Sequence, residues 1–204
     1  MQLNFSDLEV SERYHLMTQT IIPRPIAWVL TDSGNESYNL APFSYFSGIS
    51  TEPALLMISV TKKPNGDTKD TLVNVLKNKK MVIHIASNEQ AELVTQTAAT
   101  LDYGESELNN TNLTTTAFEG FELPRLTQCD VAYGCELYEI KEIGDAPQTL
   151  IFVEIKCLYI NEDVLNTDNP DRIKILADKV NPLARLGGGE YASITKPYSL
   201  KRPD

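Results

Sequence analysis

The chain is poor in the residues on which most side-chain catalysis depends. Of its 204 residues only two are histidine and three are cysteine. His15 and His84 lie far apart in sequence, and with scattered cysteines they make a weak metal site. Cys129, Cys135 and Cys157 cannot all pair with one another and show no C-x-x-C spacing, which fits a reducing compartment and hence the cytoplasm. There is no G-x-S-x-G and no G-x-x-x-x-G-K-[ST], which excludes a nucleophile elbow and a P-loop. The glycines of "GGGE" (187–190) follow no strand and lack the G-x-G-x-x-G spacing of a dinucleotide turn. No apolar run reaches the ~18 residues that cross a bilayer. The first ten residues, "MQLNFSDLEV", lack the basic start and apolar stretch of a signal peptide.

Positive charge is also scarce. Lysine and arginine total 18 against 28 aspartates and glutamates, a formal net charge of −10. Such a surface repels nucleic acid and anionic membranes. The densest basic run, "KNKK" (77–80), reads as the polar end of a helix. A local pocket can still be positive and take a small anion.

What is present is a β-rich pattern in one domain spanning residues 1–204. Apolar residues make up 42% of the chain, enough for a substantial core. Runs rich in β-branched and aromatic residues at 26–32, 54–62, 81–87, 131–143 and 149–160 read as strands. The last two, separated by "GDAP", read as a long antiparallel hairpin. Helical patterns are fewer: 70–79 with an apolar stripe, 88–100 capped by Ser87 or Asn88, and 169–180 with Asn169 as cap and Pro170 at the first helical position. Residues 104–123 are polar and Thr/Asn-rich, an excursion with little regular structure. Strands dominate, and the helices are too few to cover both faces of a parallel sheet. The expected fold is therefore all-β or β-rich α+β, an antiparallel barrel with peripheral helices.

Four segments have the chemistry of a ligand site. In "NGDTKDTLVN" (65–74) a loop leads into a helix whose free N–H groups suit an anion, with Lys69 adding charge and Thr68 and Thr71 hydroxyls. The alternative is that Asp70 or Thr68 simply caps that helix. In "NLAPFSYF" (39–46) a flat ring can lie against an extended aromatic strand, or the aromatics can belong to the core. In "PRPIAW" (23–28) two prolines hold Arg24 on a stiff extended segment, aimed at a ligand or simply exposed. "NPLARLGGGEYASI" (181–194) places a Gly-rich loop after Arg185, able to close over a ligand, fold against a partner or do neither.

Taken together and in order, "IIPRPIAWVLT", "NLAPFSYFSGISTEPALLMISV", "KDTLVN", "MVIHIAS" and "NPLARLGGGEYA" resemble the flavin reductase-like family of FMN-binding split-barrel flavoproteins. The resemblance runs from about Met17 to Thr195 and leaves both ends and the 104–123 excursion unassigned. It implies an antiparallel split barrel, a homodimer, and FMN at or near the subunit interface. By the same resemblance Asn39, Leu40, Ala41, Pro42, Phe43 and Ser44 line the flavin ring. Ser59, Val60 and Thr61 border the ring or ribityl chain. Lys69, Asp70 and Thr71 hold the phosphate, and Asn74 on the same helix is counted with them. Arg24 and Arg185 flank the pocket. The implied activity is that of an oxidoreductase, NAD(P)H-dependent and of the flavin reductase type. The alternatives are an FMN-holding electron-relay protein and a flavin-dependent oxygenase. Hydride transfer to a flavin requires no acid, base or nucleophile from the protein, so no catalytic side chain is singled out. Some reductases of this family carry a His-containing motif near the C-terminus at the nicotinamide site. "NPLARLGGGEYA" has none, which leaves the donor open.

Overall fold

The computed structural model describes residues 1–34, 36–145, 148–168 and 172–203. After an N-terminal helix, α1 (Val10–Thr20), come β1 (Ala27–Gly34), β2 (Ser37–Phe43), β3 (Phe46–Thr51) and β4 (Ala54–Val60). Helix α2 (Asp70–Asn78), β5 (Lys80–Ile85) and helix α3 (Ala91–Gln96) follow. The long strands β6 (Val131–Ile143) and β7 (Gln148–Ile160) complete one seven-stranded antiparallel sheet in the order β2-β1-β5-β6-β7-β4-β3. A smaller three-stranded sheet joins Arg24–Pro25, Ala184–Arg185 and Tyr191–Ala192.

The order of the large sheet fixes its shape. Its two edges, β2 and β3, are consecutive in the chain and separated only by Ser44 and Tyr45. Three peptide steps span at most about 11 Å. In a flat sheet the six inter-strand spacings would set those edges about 29 Å apart. The sheet must therefore roll until its edges nearly meet, leaving a split at Ser44–Tyr45. That is the split barrel expected from the sequence.

Side-chain alternation along the strands sorts the apolar residues into an inner and an outer layer. All seven strands contribute to the inner one, with Val29, Phe43, Ile58, Met81, Cys135 and Ile151 among its members. Val75 and Leu72 of α2 close one end of it. The outer layer takes the alternate residues Trp28, Leu30, Leu40 and Val82. The excursion belongs here: Leu113, Phe118 and Leu123 are buried against the outside of the sheet. Its polarity hides a few well-spaced anchors. One of them, Glu107, accepts the outward N–H of Leu40 at 2.8 Å and so covers the open edge of β2. Two residues on, the edge carries Pro42, which has no N–H to leave unpaired.

His84, next to last in β5, is fully buried. Its Nε2 accepts the Leu126 N–H at 2.9 Å, so Nδ1 carries the proton and donates to the Trp28 carbonyl at 3.0 Å. Burial lowers its pKa to about 4, and the ring is a neutral internal tie.

Two helical expectations are corrected. The 88–100 helix is a 3-10 turn at Asn88–Gln90 followed by α3, and it stops at Thr97 because that hydroxyl accepts from Trp28 Nε1 at 2.8 Å. The 169–180 helix shrinks to Ala177–Val180, here α4. Lys174–Ile175 instead pairs with Leu165–Asn166, as the alternating Ile173 and Ile175 allow. The expected cap at Asn169 and Pro170 lies outside the described residues, as does Pro147 in the long hairpin's turn. Helix α1 has no counterpart among the sequence expectations, because its apolar residues Val10, Tyr14 and Met17 are exposed and only Thr18 is buried. Among the described residues no helix is long and apolar enough to cross a membrane.

Candidate functional site

Two cavities meet at Pro42, on the split of the barrel. The narrower, about 70 Å³, lies between the start of α2, the strand β2 and the turn after α3. The wider, about 380 Å³, opens between Phe43–Tyr45 and helix α1.

At the narrow end Lys69 occupies the N-cap position of α2, and no side chain caps the helix. Neither Thr68 nor Asp70 serves as the cap. Asp70 is already the first helical residue, and its carboxylate is turned to Lys63, whose Nζ lies 2.6 Å away. The amides of Leu72 and Val73 return to the Lys69 carbonyl at 2.9 and 3.2 Å. The amides of Asp70 and Thr71 find no acceptor among the described residues. Two open N–H groups, the helix dipole and Lys69 thus converge on one point. An aspartate at that point would repel an anion, but the ion pair with Lys63 offsets its charge. Asn39 donates to the Thr71 hydroxyl at 3.1 Å, tying β2 to the cradle. Burial lowers the pKa of Lys69, with the like charge of Lys63 adding to the shift and Asp70 opposing it. Burial raises that of Glu107, which borders the same cavity. Two cations and two carboxyls therefore share a half-dry space with no surplus of either sign.

The wide end is built differently. Ser44, Ser59 and Thr61 supply polar edges and Phe43 and Tyr45 flat ones, while among the described residues no carboxylate lines it. Behind this wall Arg24 is only 5% exposed, yet no carboxylate pairs with it among the described residues. Its guanidinium donates instead to the carbonyls of Thr18 (2.5 Å), Ile21 (2.7 Å) and Leu186 (2.7 Å), and to the Ser44 hydroxyl (3.4 Å). It thereby ties the end of α1 and the Gly-rich loop to the wall of the cavity. The Gly-rich loop does not cover the cleft. A Cβ at Gly187 would sit 3.1 Å from the Gln19 Cα, so only glycine lets the loop pack this tightly on α1.

The structure thus brings together most of the residues singled out from the sequence. Asn39, Ala41, Pro42, Lys69, Asp70 and Thr71 border the narrow cavity. Pro42, Phe43, Ser44, Ser59 and Thr61 border the wide one. Leu40 and Val60 turn their side chains into the outer and inner layers, leaving only backbone toward the cleft. Asn74 borders neither cavity: it donates to Thr31 and Ser33 at 3.1 Å each and anchors α2 to β1. Arg185 donates to the Gly188 carbonyl and lies over the Tyr191 ring, bracing the Gly-rich loop away from both cavities. Residues not anticipated from sequence include Lys63, Glu107 and the α1 face. Lys63 carries a weak local signal, being six residues before Lys69 in the same loop. Glu107 and α1 carry none, since only long-range packing brings them to the site.

A rolled antiparallel sheet whose edges meet at a split is the architecture of the flavin reductase-like split-barrel proteins. The chain belongs to the flavin reductase like domain family, whose model matches residues 17–181. It is 32% identical over 200 residues to the uncharacterized protein YwrF of Bacillus subtilis, covering 96% of each chain. In structure it is similar to nitrilotriacetate monooxygenase component B from Bacillus cereus, with 28% identity, a TM-score of 0.88 and 98% of each chain covered. It is also similar to the 2-nitrobenzoate 2-nitroreductase NbaA of Pseudomonas fluorescens, at 27% identity and a TM-score of 0.87, over 100% of this chain and 96% of that one.

Proposed function

We propose that the chain binds FMN across the split and works as an oxidoreductase of the flavin reductase type, with NAD(P)H as donor. The observation that carries this reading is the start of α2, where two unpartnered amides and Lys69 border a cavity that shares Pro42 with an aromatic one. The donor set fits a phosphomonoester at the narrow end: the Asp70 and Thr71 amides, Lys69 and the Thr71 hydroxyl. The wide end fits a planar ring, held by Pro42–Ser44 on one side and edged by Ser59 and Thr61. The bound flavin supplies the redox chemistry. The chain's own residues bind and orient: Lys63 offsets the charge of Asp70 beside the cradle, and Arg24 fixes the wall through Ser44. Tyr45 keeps its proton, because burial raises its phenol above the ordinary range.

The same reading includes a homodimer, in keeping with exposed Ile21 and Ile22 next to α1, and a cytoplasmic setting, in keeping with three free cysteines. The family membership and the two oxidoreductase neighbours support it. Titration with FMN, followed by anaerobic mixing with NADH or NADPH, tests it. Saturable binding with a perturbed visible spectrum and bleaching by one donor are expected. Failure to bind FMN overturns the reading, whereas binding without bleaching by either donor removes the reductase activity and keeps the flavin.

A further inference from the structure

Helix α1 presents an unusual face. Val10, Arg13, Tyr14 and Met17 recur at i, i+3, i+4 and i+7, the spacing of a buried stripe. Yet Val10 is 67%, Tyr14 54% and Met17 39% exposed. None of the three apolar side chains belongs to the buried core. The stripe forms the wall of the wide cavity opposite Phe43–Tyr45. Two residues of this lining each bury a polar atom without a hydrogen-bond partner, Nε of Arg13 and the hydroxyl of Tyr45. The remaining bond of the Arg13 side chain is a long one, 3.4 Å to the Ser6 carbonyl, and among the described residues it has no ion pair. On a chain of net charge −10, no carboxylate among the described residues lines this cavity.

We infer that the α1 face is the binding wall for a second, flat, anionic organic molecule, an aromatic carboxylate, with Tyr14 and Met17 against its ring and Arg13 on its carboxylate. This rests on the reading of the opposite wall as the flavin's. A ring on Phe43–Tyr45 leaves the α1 side of the cavity open, and an aromatic molecule there contacts Tyr14 and Met17 by ring packing and sulfur–aromatic contact. The planar guanidinium matches a carboxylate with two parallel hydrogen bonds, which neither an ammonium nor a hydroxyl offers. The lack of competing acids in the lining means that an incoming carboxylate meets no like charge there.

Calorimetry with benzoate and benzamide on the FMN-loaded protein tests this directly, since the two share a ring and differ in charge. Benzoate is expected to bind about tenfold more tightly than benzamide, as one charge-assisted contact provides. Arg13→Gln is expected to abolish that preference, while Tyr14→Ala weakens both ligands alike. FMN affinity, measured separately, stays the same in both variants. Equal affinities for the two probes, a preference that survives Arg13→Gln, or no binding because a second copy covers the face each overturns the inference. Failure of FMN itself to bind overturns the flavin reading as well, so the two outcomes are distinct.

Discussion

The two ends of the cleft solve the problem of burying charge in opposite ways. At the narrow end Lys63, Lys69, Asp70 and Glu107 lie close together and compensate one another, leaving an anion to be attracted by two open amides and one lysine. At the wide end the cations are guanidiniums without carboxylates: Arg24 is satisfied by carbonyl dipoles, and Arg13 is held by one long bond. The first arrangement balances buried charges of both signs within a half-dry space. The second keeps Asp and Glu out of the lining among the described residues. The comparison teaches that a strongly acidic protein can hold a cleft whose walls carry no surplus of negative charge. The requirement is that its carboxylates be paired at one end and kept out of the lining at the other.

The largest effect that would break this contrast comes from Arg24. Arg24→Met removes every donor to the Thr18, Ile21 and Leu186 carbonyls and leaves them short of partners in a part-buried setting. A loss of on the order of 3–5 kcal/mol in urea unfolding is expected. Protease cleavage should appear first at the Gly-rich loop. An unchanged midpoint would show that the guanidinium is a bystander. Next in size is Lys69→Ala, expected to weaken FMN by on the order of 1–3 kcal/mol while leaving riboflavin, which lacks the phosphate, unaffected. Equal losses for both ligands by titration would place the phosphate elsewhere.

The smallest effect sharpens the comparison through pH. Burial raises the Glu107 pKa in the folded state. A group with a raised folded value favours the fold below its ordinary value and loses that contribution as pH rises through the folded one. Glu107→Gln keeps an acceptor for the Leu40 N–H and cannot ionise. Its stability relative to the parent is therefore expected to rise as pH climbs from the ordinary carboxyl range to neutrality, by less than either change above. Urea midpoints measured across that range check this, and a difference independent of pH would contradict it.

Much of the barrel was legible because its strands obey local rules. The runs at 54–62, 81–87, 131–143 and 149–160 match β4, β5, β6 and β7 within a residue or two. β-branched residues alternating between two apolar layers carry a strong period-two signal. The start of α2 was legible too, because a Lys-Asp-Thr helix start is a local feature, although the sequence left open whether Asp70 caps it. Helix α1 was missed although Val10, Arg13, Tyr14 and Met17 follow a helical period, because one short stripe interrupted by Arg13 is a weak signal. Arg24 illustrates the same limit: two prolines announced a stiff segment, but not that three carbonyls from α1 and the Gly-rich loop would converge on it.

By itself, then, the sequence determined a β-rich chain with a helix starting after Lys69 and an aromatic ribbon, because hydrophobic period, proline and capping act over a few residues. Only the tertiary structure decided that the two sheet edges meet at Ser44–Tyr45. It also brought Glu107 against Leu40 from 67 positions away and set α1 across the cavity. Such contacts come from closing long loops around a shared core, and their geometry is settled by packing between segments that no local pattern records.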